Sequence, residues 1–398
     1  MSDGAKWMRA AATLAAVALV AGCTAPAPPD DAAPAPAAPK VEPPPPPDPI
    51  VQYAEDRLSV MTLEQKIASM LMIHVGGVDP WLIRSTAAQG VGGVILMGDN
   101  VPDPPDQLAA MTPVLSPETG LPLLIGIDQE GGIVERVWTD EYDSAAQLRF
   151  LPPEAAQTAF DGRGSMLKNL GINLNFGIVA DITADPASFI YERSMGGSPE
   201  DAAARVAAAV AGEHGHVLST LKHFPGHGVS PGDSHSSIPG TGISMAEWHA
   251  SHAGPFAAGI DAGAEFVMFG HLRFDAFDPL PATLSPMWHQ VLREELGFEG
   301  IVITDDMAML ENSGEPAYAD RLSNAIAAIA AGNTMLLYVG GVDVAALVAG
   351  IAAAVRAGTL DEQLIDDATQ RLLELRRELS GETGRFAHCF EQCESMIE

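Results

Sequence analysis

Eight short apolar runs punctuate the chain from about residue 50 onward, with longer Ala-rich amphipathic stretches between them. They cover 70–74, 93–97, 123–128, 172–178, 218–223, 266–271, 300–305 and 335–339. Each reads as a continuous apolar segment more than an alternating one, the pattern of parallel strands buried on both faces. Helix signals fill the intervals. Thr62 with Gln65 and Ser244 with Glu247 have capping-box spacing, and Ser198-Pro199 and Ser285-Pro286 place an N-cap before a first-turn proline. Such alternation predicts a single-domain α/β fold, a (β/α)8 barrel of the TIM type over residues 50–380. A doubly wound sheet alternates in the same way, so alternation alone leaves both open. The polar residues decide. Asp128, Lys222-His223, His271 and Asp305 each close a predicted strand, and no comparable cluster precedes the strands. A barrel places chemistry at the C-terminal ends of many strands, whereas a doubly wound sheet gathers it near one switch point.

The residues ahead of the barrel serve a different end. Lys6 and Arg9 form a positive n-region, and the apolar run from about Ala10 to Val20 is too short to span a bilayer. It ends in Val20-Ala21-Gly22-Cys23, which resembles a bacterial lipobox. The resemblance implies a signal peptide over 1–22 and lipid attachment at Cys23; a plain signal peptide with an incidental Cys23 is the alternative. Residues 23–49 are Ala, Pro and Asp with hardly a large apolar side chain, so they read as an extended tether. The expected protein is exported, held at the cell membrane through Cys23 and facing the cell wall or periplasm. Its formal charge of -31 argues against nucleic acid, which needs a basic surface. Cys389 and Cys393 fall in a C-terminal tail, 381–398, where an exported chain favours a disulfide over free thiols or a metal.

Lys222-His223-Phe224-Pro225-Gly226-His227-Gly228, followed by Asp233-Ser234-His235, packs a cation, three imidazoles and a carboxylate into one segment. Asp233 and His235 admit three readings: a carboxylate-oriented general acid/base, a metal site shared with His223 and His227, or a polar surface loop. Gly226, Gly228 and Gly232 predict a mobile loop, with His235 reaching the site in a closed state. Asp305 and Asp306 end an apolar run, and strand geometry lets only one of them face the barrel mouth. A helix N-cap or a solvated turn is the plainer reading of that pair. His214, His216, His249 and His252 read as structural or surface residues, and Trp138 and Trp288 as core.

These motifs, with Asp128-Gln129-Glu130-Gly131-Gly132, Glu192-Arg193-Ser194 and Thr304-Asp305-Asp306-Met307, resemble the single-domain β-N-acetylhexosaminidases of glycoside hydrolase family 3 over about residues 55 to 375. The resemblance implies Asp305 as nucleophile, His235 as general acid/base and Asp233 as its partner. It implies sugar-binding roles for Asp128, Arg136, Arg193, Lys222, His223 and His271, the three cations being ordinary salt-bridge partners otherwise. Ile133 departs from the basic or polar residue common at that position. The implied activity is retaining, exo-acting release of terminal N-acetylglucosamine from saccharides such as peptidoglycan fragments, by a monomer needing no metal or organic cofactor.

The chemistry is coherent on its own terms. A retaining glycosidase needs a carboxylate at the anomeric carbon and a group that first donates and then accepts a proton. A histidine, with an unperturbed pKa of about 6.5, can do both near neutral pH. Unlike a second carboxylate it gains no negative charge on deprotonation, so phosphate could compete with water for the glycosyl-enzyme. A phosphorylase or β-glucosidase of the same family, and a non-catalytic sugar-binding lipoprotein, are the rival readings.

Overall fold

The computed structural model describes residue 22 and residues 48–386, apart from 119 and 231. The expected signal peptide apart from Gly22, Cys23, the tether up to residue 47 and the Cys389–Cys393 pair lie outside the described residues.

All eight apolar runs are strands: β1 (Leu71–Ile73), β2 (Gly93–Leu96), β3 (Leu124–Ile127), β4 (Leu174–Val179), β5 (Leu218–Phe224), β6 (Phe266–Phe269), β7 (Ile301–Asp306) and β8 (Met335–Tyr338). They pair in parallel in the order β1-β8-β7-β6-β5-β4-β3-β2 and close on themselves. A closed parallel barrel has no switch point, which removes the doubly wound alternative. Its interior is filled by side chains that approach the backbone closely. A Cβ at Gly126 would stand 2.6 Å from the Phe176 ring, and one at Gly93 would stand 2.5 Å from Met72. Glycine on β2 and β3 is therefore what lets these two large residues occupy the axis.

The helix starts form as the sequence predicts. Thr62/Gln65 and Ser244/Glu247 are reciprocal capping boxes, and the hydroxyls of Ser198 and Ser285 accept the N–H of Asp201 and Trp288 ahead of first-turn prolines. Outside β5 and β6 Phe224, Trp248, Phe256 and Trp288 pack edge to face, with Phe269 tilted against Phe224, and Trp248 Nε1 donates to the Pro225 carbonyl at 2.8 Å. The cluster steadies the chain where it leaves β5. Truncating one such buried ring typically costs about 3–5 kcal/mol.

At the other end of the barrel, the helix Pro49–Leu58 lies on the helix Glu362–Ser380. Arg57 is bidentate to Glu118, and Tyr53 meets Phe386 edge-on at 5.7 Å. A cavity of about 450 Å³ opens beside them, walled by Ser69, Val91, Leu121 and Leu123, which lie just before the first three strands. Residues at both ends of the described span 48–386 thus meet at the N-terminal face, opposite the strand ends that carry the polar residues.

Candidate active site

The chain leaving β3 is folded back by Gly131 and Gly132, at φ +85° and +75°, where a side chain is disfavoured. The Gln129 carboxamide sets the shape of the loop: its Oε1 accepts the N–H groups of Arg136 and Val137 at 2.9 and 3.0 Å, and its Nε2 donates to Asp140 at 2.8 Å. Asp140 is paired with Arg163 at 2.6 Å, both fully buried. Folding back in this way brings Arg136 Nη2 to 3.1 Å from the Asp128 carboxylate. Arg136 Nε is buried with no partner, a donor in reserve.

Across the barrel, Lys222 Nζ stands 2.9 Å from Asp128 and 2.7 Å from Glu130. Arg193 forks onto the two Glu130 oxygens at 2.9 and 2.7 Å. Burial alone would raise the carboxyls of Asp128 and Glu130, but Lys222 with Arg136 and Lys222 with Arg193 outweigh it and hold both below the ordinary carboxylate range. Lys222 is raised in turn: burial pushes it down, and the two carboxylates more than compensate. Charged donors and acceptors are thus interleaved, which suits a polyhydroxylated ligand.

The Lys222–His223 peptide is cis, and both side chains join this cluster. Asp181, two residues past β4, accepts from His223 Nδ1 at 2.7 Å and from the His227 N–H at 2.5 Å. Arg193 Nη2 lies 3.3 Å from His223 Nε2. A guanidinium only donates, so Nε2 accepts and the ring proton sits on Nδ1, facing Asp181. Burial raises the Asp181 carboxyl, yet His223 and His227 pull it down to about 2.

Asp305 and Asp306 divide as strand geometry requires. Asp306 turns away and accepts the N–H groups of Ala308 and Val339 at 3.1 and 3.0 Å. Asp305 faces the cluster. Burial would raise it, but His223, His271, the Asp306 N–H and Lys222 keep it below the ordinary aspartate value. His271 is buried, with Nδ1 2.9 Å from the Thr283 hydroxyl and Nε2 2.9 Å from the Asp306 carbonyl. With both nitrogens occupied, it braces the end of β7 rather than offering a free polar group.

The profile of the glycosyl hydrolase family 3 N-terminal domain matches residues 62–375. The chain belongs to glycosyl hydrolase family 3. Its relatives include a β-hexosaminidase of Pseudomonas aeruginosa strain LESB58, 31% identical over 67% of this chain and 80% of that protein. Among solved structures, a family 3 β-N-acetylglucosaminidase of Paenibacillus sp. strain FPU-7 superposes with TM-score 0.73 at 32% identity. That match covers 84% of this chain but only 65% of the Paenibacillus chain. A β-N-acetylhexosaminidase of Beutenbergia cavernae gives TM-score 0.69 at 30% identity, covering 80% of this chain and 99% of that one.

In this family 3 hydrolase, Asp233 and His235 stand apart from the cluster. His235 Nδ1 is 2.5 Å from Asp233 Oδ1, and the same oxygen accepts the His235 N–H at 3.0 Å. The pair is exposed, 66% for the His235 side chain, and among the described residues no hydrogen bond or ion pair joins it to Asp305. Nε2 is left free to carry a proton. The metal reading needs His223, His227, Asp233 and His235 together, and among the described residues no group of three or more such side chains could hold an ion.

Two expectations are corrected. Gly228 serves close approach rather than mobility, because a Cβ there would stand 1.9 Å from the Ile182 carbonyl. Trp288 is core, but Trp138 is 48% exposed on the loop after β3. The sequence reading also gave no role to Glu130 or Asp181. The strand-end rule that singled out Asp128 and Asp305 would have found Asp181 had β4 been extended to its observed end at Val179.

Proposed function

We propose that this hydrolase is a retaining exo-β-N-acetylglucosaminidase with Asp305 as nucleophile and His235 as acid/base. The observation that carries the reading is the Asp305 carboxylate at the C-terminal end of β7, facing the strand-end cluster of Lys222, His223 and His271, whose charges favour its ionised form. In the first step an Asp305 oxygen attacks the anomeric carbon, the bond to the leaving oxygen breaks, and His235 Nε2 gives that oxygen its proton. In the second, water attacks the same carbon, gives a proton to His235 and displaces Asp305. Asp233 fixes the His235 tautomer and stabilises the imidazolium. Because the dyad is exposed, its loop must close over bound substrate to complete the site. The cluster of Asp128, Arg136, Arg193, Lys222 and His223 binds the non-reducing sugar.

The names of the relatives support N-acetylhexosamine as that sugar. The lipobox supports export and anchoring through Cys23, a location that favours peptidoglycan fragments as the substrate pool; the barrel is read as acting as a monomer. The direct test is release of p-nitrophenol from its β-N-acetylglucosaminide in phosphate-free buffer by wild type and Asp305→Ala. Turnover by wild type with a loss of several orders of magnitude in the variant is expected. Equal rates would remove Asp305 from the role. Cys23→Ser, followed by fractionation of cells, tests the anchor: the variant should leave the membrane fraction.

A further inference from the structure

The sugar cluster is braced from behind by a residue outside it. Closing a barrel staggers its strands, so the second residue of β4, Asn175, lies level with Ile127, the last residue of β3. Its carboxamide therefore reaches the chain just beyond β3. Asn175 Oδ1 accepts the Gln129 N–H at 3.1 Å, and Nδ2 donates to the Gln129 carbonyl at 3.0 Å. Gln129 stands between Asp128 and Glu130, the two carboxylates of the cluster. Gly177 leaves room for this clamp: a Cβ there would stand 2.2 Å from Asn175 Nδ2 and 2.6 Å from the Gln129 carbonyl.

The Gln129 contacts fix which way the amide points, and one hydrogen of Nδ2 remains. It goes to Glu213 Oε1 at 2.6 Å, on the last residue of the helix Pro199–Glu213. Among the described residues the other Glu213 oxygen is buried with no partner, which a neutral carboxyl tolerates better than a carboxylate. Facing Glu213 are Arg163, from the helix Pro153–Asn169, and Glu265, just ahead of β6, with Asp140 beyond Arg163 as its ion-pair partner. Of the two nearby histidines, His216 is paired with Asp161 and His214 acts on Glu265. Arg163 Nη1 is likewise buried with no partner among the described residues.

We propose that Glu213 is a positioning residue for sugar binding, setting through Asn175 the peptide groups of Gln129 and with them the Asp128 and Glu130 carboxylates. The inference rests on the hydrolase reading above. Burial pushes the Glu213 carboxyl up to about 8, so at neutral pH it keeps its proton and Arg163 stays on Asp140. Once ionised, Glu213 competes with Asp140 for Arg163, and Asp140 is what the Gln129 side chain donates to. The clamp then loosens on both sides, and sugar affinity falls as pH rises.

The test is KM and kcat on an aryl β-N-acetylglucosaminide, from neutral to alkaline pH. At neutral pH Glu213→Ala should raise KM by about five- to tenfold, the worth of one buried hydrogen bond, with kcat little changed. Glu213→Gln keeps a neutral group with an accepting oxygen and should match wild type there. Above about pH 8 the wild-type KM should climb by a similar factor relative to that of Glu213→Gln. Asn175→Ala should raise KM at least as much as Glu213→Ala, and adding Glu213→Ala to it should raise KM no further, because the two act in series. A Glu213→Ala enzyme that loses Tm with KM unchanged would overturn the proposal. Additive losses in the double variant, or a wild-type KM that tracks Glu213→Gln at every pH, would do the same. Should Glu213→Ala fail to fold, that pH comparison decides alone. Failure of wild type on the aryl glycoside would instead remove the hydrolase reading, and this inference with it.

Discussion

The Asp181 carboxylate accepts the Nδ1 proton of His223 at 2.7 Å, although 42 residues separate them in the chain. The bond fixes which His223 nitrogen faces the cluster. Through the His227 N–H, the same carboxylate also pins the root of the loop that ends in Asp233 and His235. One buried charge thus holds a group beside the nucleophile and the base of the acid/base arm.

Asp181→Asn should therefore lower kcat/KM by about 10²-fold, the typical effect of misplacing catalytic groups by an ångström. A purely structural role predicts loss of Tm alone. Positioning predicts a raised KM together with a loss that deepens for poor leaving groups, read by comparing aryl glycosides of different phenol acidity.

His235→Gln should show that leaving-group dependence in its strongest form. Aryl glycosides with acidic phenols need little protonation and should lose about tenfold or less, whereas disaccharides should lose about 10²–10⁴-fold, the worth of general acid catalysis. A uniform loss across leaving groups would deny His235 the acid role.

The acid limb of kcat/KM should fall below the ordinary aspartate value of 3.8, because the cationic surroundings of Asp305 keep its carboxylate ionised to lower pH. The nucleophile must be anionic, so activity is lost as pH drops through that lowered value. A pH–rate profile on an enzyme shown to stay folded checks it, and a nucleophile titrating above 3.8 would contradict the geometry.

Glu213 supplies a stability prediction. It is buried, donated to by Asn175 Nδ2 at 2.6 Å, and burial pushes it up to about 8 from 4.5. Between those values the unfolded chain releases this proton and the folded chain keeps it, so stability falls as pH rises through that window. The contribution is fully present below 4.5 and gone above 8. Glu213→Gln keeps a neutral group throughout, so its Tm should gain on wild type by roughly 5 °C between pH 5 and pH 8. A constant difference would mean that Glu213 is ionised when folded.

The barrel was legible because burial on both faces writes unbroken apolar runs, and each of the eight appears in the sheet. The cluster was legible where a polar residue closes such a run, as at Asp128, Lys222 and Asp305. Asp181 was not, because the predicted run stops at residue 178, short of it, and the carboxylate has no polar neighbour beside it in sequence. The exposure of Trp138 depends on how Gln129 and Arg163 fold the loop after β3, and those partners meet only in three dimensions. The glycines of the dyad loop were visible, but Gly228 answers to a carbonyl on another segment.

The helix Pro49–Leu58 enters the barrel at its N-terminal face, next to Phe386, with the strand ends and their charges at the far side. The enzyme therefore has a natural handle. A resin bead or a fused partner coupled at Asp48 itself attaches behind the reaction rather than in front of it. Immobilised by that route the catalyst should keep its solution turnover, while attachment through the loops after β4 or β5 should silence it.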